Sequence, residues 1–151
     1  MKRFSLVALV FAVAAPTAGA ATELPEVRSR ESVTLIAVGG SALTNGVFVP
    51  GAAVYDGSDM QGVAYEIDRG TDIELITPDG TATAGNGHQI RSFKRRKNGR
   101  PLFQSSFVSD GQSTLMITSH LKPGKGDQPD GSYGYFCTVH FGMYGLIQIT
   151  G

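Results

Sequence analysis

The stretch Y-G-Y-F-C-T-V-H-F-G-M-Y-G-L-I-Q-I, residues 133–149, decides the fold and the chemistry that we predict for this chain. Alternate residues of a β-strand point to the same face, so the tyrosines and the cysteine of Y-G-Y-F-C predict a strand with one buried face. T-V-H-F-G-M then predicts a tight loop, and Y-G-L-I-Q-I predicts the next strand. A loop this short brings Cys137, His140 and Met143 round a single point.

The amino terminus has the three parts of a secretory signal peptide. Lys2 and Arg3 give a positive start, an apolar run follows, and A-G-A at 18–20 is a small-residue cleavage site. The run is shorter than the roughly 20 residues of a membrane span, and no later stretch is apolar enough to cross a bilayer. We therefore predict a periplasmic protein without a membrane span. The predicted division is a signal peptide at 1–20, a flexible leader at 21–31 and one domain at 32–151.

Cys137 is the single cysteine of the 151-residue chain. Exported domains usually carry an even number of cysteines that pair as disulfides. An internal disulfide is excluded here, so the thiol is buried and inert, joined to another chain, or held by another group. A metal ion would protect such a thiol as well as use it.

Strand signals recur along the chain, and no segment shows a capped helical period. V-A-Y-E-I and D-I-E-L-I alternate apolar and polar residues, which is the period of a half-buried strand. Turns rich in glycine and proline separate the strands. We predict an all-β fold of about eight strands, a two-sheet antiparallel sandwich or barrel. The predicted strands are residues 32–38, 47–55, 63–67, 72–77, 88–94, 102–108, 113–119, 132–139 and 144–150.

A thiolate, an imidazole and a thioether are soft donors, and such a set selects copper over hard cations. A further ligand must then come from elsewhere in the chain. His88 follows a glycine-rich turn and begins a predicted strand that can lie beside the C-terminal strands. His120 lies at the far end of another predicted strand, which favours the opposite pole of the sandwich. We prefer His88 as the further ligand and keep His120 as the alternative.

The motif Cys137-x-x-His140-x-x-Met143 after an aromatic strand resembles the cupredoxins, the small type 1 blue copper proteins. The spacing before the methionine is similar to that of amicyanin, whereas plastocyanins and azurins space it more widely. His88, at the start of a strand, matches the upstream histidine of the family. Gln89 stands where the family often has an asparagine whose side chain ties the two ligand loops together.

The resemblance implies a Greek-key β-sandwich or barrel with one copper ion, and a one-electron carrier rather than an enzyme. It implies His88 and His140 as imidazole ligands, Cys137 as the thiolate and Met143 as the weak axial ligand. Because His140 lies in the exposed loop, we expect a redox donor and a redox acceptor to dock near its ring edge. We also expect a monomer, with no nucleic acid as a partner of an exported protein.

A basic run, R-S-F-K-R-R-K-N-G-R at 91–100, carries six positive charges. Such a run could steer an acidic redox partner, with an on-rate that falls as salt rises. The steering residues would be Lys94, Arg95, Arg96 and Lys97. A solvated hairpin tip without a partner is the alternative.

Two other functions remain open at this stage. The same ligands would suit a protein that carries or buffers copper without redox turnover. Catalysis at an open copper position is disfavoured because Met143 fills the axial direction. The sequence also shows no evident acid–base pair or nucleophile triad.

Overall fold

The computed structural model describes residues 31–39, 46–78 and 87–151. The predicted signal peptide at 1–20, and the predicted leader apart from residue 31, lie outside the described residues. Within these three ranges the chain forms ten strands. They are β1 (Ser32–Val38), β2 (Val47–Val49), β3 (Ala52–Tyr55), β4 (Met60–Gly62), β5 (Tyr65–Asp68), β6 (Asp72–Thr77), β7 (Ile90–Ser92), β8 (Gln112–Met116), β9 (Tyr133–Cys137) and β10 (Tyr144–Thr150).

The strands form two sheets, which confirms the predicted all-β sandwich. The first sheet has the order β2-β1-β6-β8. The second has the order β4-β3-β10-β9-β7, and β5 pairs with β10 outside this path. No described residue belongs to a helix that could cross a membrane.

The predicted antiparallel arrangement is wrong for two pairs of strands. β1 pairs with β6 in parallel, and β10 pairs with β5 in parallel. Between β1 and β6 the chain crosses to the second sheet, where it forms β3, β4 and β5, and it then returns beside β1 in the same direction. Alternation of apolar residues reports which face of a strand is buried but carries no information on strand direction.

Three predicted strands have the observed bounds, namely those at 32–38, 72–77 and 144–150. The predicted strand at 47–55 is divided into β2 and β3 by a turn at Pro50 and Gly51, and Gly51 has φ +93°. Proline cannot donate to a strand ladder and glycine tolerates positive φ, so these two residues end one strand before the next begins.

The segment at 102–108 is not a strand, contrary to the prediction. It makes isolated bridges, from Gln104 to Arg91 and from Val108 to His88. Conversely, β4 was not predicted, because a strand of three residues is too short to show a period. Nine segments were predicted as strands; one is divided into two, one is not a strand and β4 is added, which gives the ten strands of the described residues.

One apolar core lies between the sheets. Alternate residues of β6 from the first sheet, Ile73 and Leu75, are fully buried. Tyr133 and Tyr135 of β9 and Ile147 of β10, from the second sheet, belong to the same buried cluster. Full burial of each such side chain contributes about 1.5–3 kcal/mol. The predicted buried face of Y-G-Y-F-C is therefore part of the core, which fixes the strand that carries Cys137.

Candidate metal centre

A short connection between β9 and β10 holds three of the predicted ligands. Cys137 is the last residue of β9, and Met143 directly precedes β10. The Cys137 N–H donates to the Met143 carbonyl oxygen at 2.9 Å, which closes the loop that carries His140. Gly142 has φ +79°, a conformation that glycine adopts without strain. The loop is thus as tight as the sequence predicted.

His88 reaches the same place from the neighbouring strand. Its N–H and carbonyl oxygen both pair with Val108, at 2.8 Å each, and β7 begins two residues later. In the ladder between β7 and β9, Ile90 lies opposite Cys137. His88 therefore stands just beyond the end of β9, beside the loop of His140, and the centroids of the two imidazole rings are 4.7 Å apart.

The donor atoms converge on the thiol sulfur. Nδ1 of His88 is 3.8 Å from Cys137 Sγ, and Nδ1 of His140 is 3.5 Å from it. Ligand atoms of these three residues all lie within 4.8 Å of one another. His88 and Met143 are 0 % exposed and Cys137 is 4 % exposed, whereas His140 is half-buried. The cluster is closed to bulk water on most sides and opens at His140.

The electrostatics keep the buried imidazole neutral. Burial, and to a smaller extent the charge of His140, lower the pKa of His88 to about 4, against smaller raising effects of Asp110 and the Gly39 backbone. A neutral imidazole has a free lone pair, which is the form that binds a metal ion. His88 is thus held in a ligand-competent state at neutral pH.

The chemistry of the donor set fits one type 1 copper ion. Two imidazole nitrogens and a thiolate, with a weak thioether, are the ligands that distinguish such sites from those of hard cations. The set occurs in a buried, preorganised cluster, as a metal site requires.

Gln89 joins the two segments that carry the cluster. The Thr138 hydroxyl donates to Gln89 Oε1 at 2.9 Å, and the Thr138 N–H donates to the Gln89 carbonyl oxygen at 2.8 Å. Gln89 Nε2 donates to the Ser105 carbonyl oxygen at 3.3 Å. The glutamine side chain therefore makes a link of the kind that the resemblance associated with asparagine.

Gly46 is a residue of the site's surroundings that the sequence did not reveal. A Cβ atom built on it would lie 2.7 Å from Met143 Sδ and 3.2 Å from the Val38 carbonyl oxygen. The bare backbone of Gly46 thus makes room for the thioether. A single glycine among the 20 of the chain carries no signal of this role.

His120 lies elsewhere in the fold. It is exposed, and its Nε2 is 3.1 Å from the Leu102 carbonyl oxygen. Within the described ranges, the metal-ligand cluster that contains histidine is made by His88, Cys137 and His140, without His120.

No family model matches the sequence, and no curated protein matches it. The structure is similar to a purple cupredoxin from Nitrosopumilus maritimus, with 21% identity, 78% of this chain and 98% of that chain covered, and a TM-score of 0.45. It is similar to a mutant of amicyanin in its reduced Cu(I) form, with 16% identity, coverage of 64% and 86%, and a TM-score of 0.42. It is also similar to a Cu-containing nitrite reductase from Thermus scotoductus, with 20% identity and a TM-score of 0.47; 80% of this chain but only 22% of that chain is covered.

The chain resembles the cupredoxins in two independent respects, an all-β sandwich and a buried set of soft donors.

Proposed function

We propose that the chain is a periplasmic one-electron carrier whose single type 1 copper ion is bound by His88, Cys137, His140 and Met143. The observation that carries this proposal is that two imidazole Nδ1 atoms face one buried thiol sulfur, at 3.8 and 3.5 Å. Bound copper would supply the exchange of one electron between Cu(I) and Cu(II), which this donor set suits.

The residues of the chain would act by holding the donors still. Gln89 and Thr138 fix the two ligand-bearing segments to each other, and the Cys137 N–H fixes the loop to Met143. Donors that are already gathered need little movement when the charge of the site changes, which favours rapid electron transfer. The same burial argues against a protein that only carries or buffers copper, because delivery requires access to the ligands.

Redox partners would dock around the His140 loop. The half-buried ring of His140 is flanked by Val139, 41% exposed, and Phe141, 92% exposed. A rim of two exposed apolar side chains suits a small interface, and complexes with small interfaces dissociate quickly, as electron transfer needs. We propose that the chain works there as a monomer, between a donor protein and an acceptor protein.

The basic run would supply long-range attraction. Three of its residues are exposed on a turn, namely Arg95, Arg96 and Lys97. A hydrogen bond from the Arg96 N–H to the Arg100 carbonyl oxygen, at 2.8 Å, closes this turn. Lys94 differs, because it is half-buried and its Nζ donates to the carbonyl oxygens of Lys125 and Gly126 in another loop. Arg95 and Arg96 also donate to carbonyl oxygens, of Gly99 and Leu102, but from exposed side chains and within their own hairpin. We therefore propose that the three exposed residues steer an acidic partner and that Lys94 mainly fastens the hairpin.

The periplasmic location rests on the predicted signal peptide at 1–20. A lone cysteine in an oxidising compartment is consistent with a thiol protected by metal and by burial. Catalysis is not proposed, since Met143 would hold the fourth position on the ion and leave no position for a substrate.

Loading the purified protein with Cu(II) tests the proposal. We expect an intense visible thiolate-to-copper band, a narrow copper hyperfine splitting in EPR, and a reversible one-electron wave in voltammetry. Cys137→Ser should abolish the band, and His120→Ala should preserve it. A pale, tetragonal Cu(II) spectrum would rule out a type 1 site, and a blue protein without a reversible wave would favour copper buffering.

A further inference from the structure

A surface pocket of about 410 Å³ opens beside the candidate metal centre. Its lining includes Cys137 and His140, two of the candidate ligands. Small-molecule sites in proteins commonly have volumes of about 300–1,000 Å³, so this pocket has room for a molecule of one or two rings.

The wall of the pocket is aromatic. Phe93 packs on Phe136 with ring centroids 4.8 Å apart and on Tyr144 at 6.0 Å. Tyr55 is not part of the lining, but its ring packs on the rings of Phe93 and Tyr144, with centroids 5.7 Å from each. Phe141 stands at the rim and is 92% exposed. Because neighbouring side chains hold these rings in place, a flat ligand can pack on their faces and edges with little loss of side-chain entropy.

The polar groups of the pocket further limit the chemical class of ligand that it can bind. Among the described residues, no Lys, Arg, Asp or Glu lines the pocket, so these residues offer no carboxylate, ammonium or guanidinium group to pair with an ionic ligand. Thr138 contributes a hydroxyl to the lining, and this hydroxyl donates its hydrogen to Gln89 Oε1. Its oxygen still has lone pairs and can accept a hydrogen bond from a hydroxyl group of the ligand.

We propose that this pocket binds a neutral, planar phenol or hydroquinone of one or two rings, stacked on the wall of Phe93, Phe136 and Tyr144. A bound hydroquinone could give one electron to Cu(II), which would become Cu(I), while the hydroquinone would become a semiquinone and release one proton to water; in this respect the inference rests on the proposed function. The binding itself depends only on the pocket and can be measured without copper.

The test is a titration of the ¹⁵N-labelled, copper-free protein with 1,4-dihydroxynaphthalene under argon, followed by NMR and repeated with Cu(I)-loaded protein. The amide signals of Thr138 and Gly142 should shift and saturate. Phe93→Leu keeps an apolar side chain but removes one aromatic face, and should weaken binding about five- to tenfold. Phe107→Leu is the matched control, an exposed phenylalanine outside the pocket lining, and should leave the affinity unchanged.

A second variant, Phe141→Ser, alters an exposed side chain and decides the matter if Phe93→Leu disturbs folding. Absence of saturable shifts at Thr138 and Gly142, or equal affinities of these variants and the control, overturns the inference. The pocket would then serve a partner's side chain instead. A blue copper protein that binds no hydroquinone would refute only this inference, whereas hydroquinone binding by a protein without the blue band would refute only the proposed function.

Discussion

The Gln89 side chain accepts a hydrogen bond from the Thr138 hydroxyl at 2.9 Å, and so links the residue after His88 to the residue after Cys137. A second hydrogen bond, from the Thr138 N–H to the Gln89 carbonyl oxygen at 2.8 Å, runs beside it. The geometry of the donor cluster therefore depends on a glutamine and a threonine that offer no donor to the metal themselves.

Removing this link should loosen the copper site. Gln89→Ala is expected to lower the free energy of unfolding by about 1 kcal/mol, the usual net worth of such hydrogen bonds, and to speed copper loss to a chelator. Gln104→Ala is the matched control, because its Oε1 makes an exposed contact with Arg91 Nε at 3.2 Å. Chemical denaturation and chelator kinetics measure both effects. Equal copper loss from the two variants would show that the link does not hold the site.

Three described methionines are buried, Met60, Met116 and Met143, and the first and the last provide a matched pair of substitutions. Met143 is 0 % and Met60 is 7 % exposed, and only Met143 belongs to the candidate centre. Leucine conserves the volume of methionine, so each change to leucine should cost less than about 1.5 kcal/mol. Met143→Leu should alter the visible and EPR spectra of the copper-loaded protein, whereas Met60→Leu should leave them unchanged. Unaltered spectra in Met143→Leu would remove the thioether from the ligand set.

Gly46 gives an independent probe of the thioether position. The added Cβ of Gly46→Ala would approach Met143 Sδ to 2.7 Å, so the flexible thioether must move. We expect a stability loss of about 1 kcal/mol or more from overpacking, together with a changed copper spectrum. Gly57→Ala strains a backbone at φ +105° and contacts nothing within 4 Å, so it should lower stability without a spectral change. A native spectrum in Gly46→Ala would contradict this account.

The sequence predicted the local parts of this structure better than the long-range ones. The alternation of apolar and polar residues in β6 and the tight loop after Cys137 depend on residues that are close in the sequence, and the structure has both. The parallel pairing of β1 with β6 depends on where the chain crosses between sheets, which no short pattern encodes. The prediction of a strand at 102–108 was wrong because this segment makes isolated bridges to its neighbours and not a continuous ladder of hydrogen bonds.

The same distinction applies to the candidate site. The spacing of Cys137, His140 and Met143 in one short loop was enough to predict that they lie together. The position of His88 at the start of a predicted strand indicated it as the further ligand. The fit between Gly46 and Met143 Sδ arises between distant segments, and the aromatic wall around Phe93 joins four strands or turns. Such contacts become visible only when the packing of the sheets is known.

Charge on the basic turn should affect reaction rates with small ionic reductants. Replacing Arg95, Arg96 and Lys97 with serine should slow reduction of the Cu(II) protein by anionic hexacyanoferrate(II) severalfold at low salt. The difference should shrink at high salt, because ions screen charges beyond about 10 Å at 0.1 M. Stopped-flow measurements follow the loss of the blue band.

A cationic reductant, hexaammineruthenium(II), is the control for this charge effect. The triple variant should react with it faster than the unmodified protein, because the repulsive charges are gone. Lys94→Ser should instead lower stability with little change in rate, since Lys94 Nζ donates to the Gly126 carbonyl oxygen at 3.0 Å. Equal slowing with both reductants would indicate a structural effect rather than an electrostatic one.

The buried imidazole of His88 should make the copper-free protein less stable in mild acid. Burial and the neighbouring His140 lower the pKa of His88 to about 4, while Asp110 and the Gly39 backbone act weakly in the other direction. In the unfolded chain this histidine binds a proton at its ordinary pKa of about 6.5. Between the two values the unfolded state holds more protons, so the free energy of unfolding falls as pH falls, by at most about 1.4 kcal/mol per pH unit.

Urea unfolding of the copper-free protein over this pH interval measures the slope. His88→Asn should flatten it, because the titrating group is gone, and what remains is the contribution of the other groups. His120→Ala is the control, because it leaves the His88 imidazole in place, and it should retain the contribution of His88 to the slope. If His88→Asn and the unmodified protein gave parallel curves, folding would not lower the pKa of His88, and its burial would not be what keeps the imidazole neutral in mild acid.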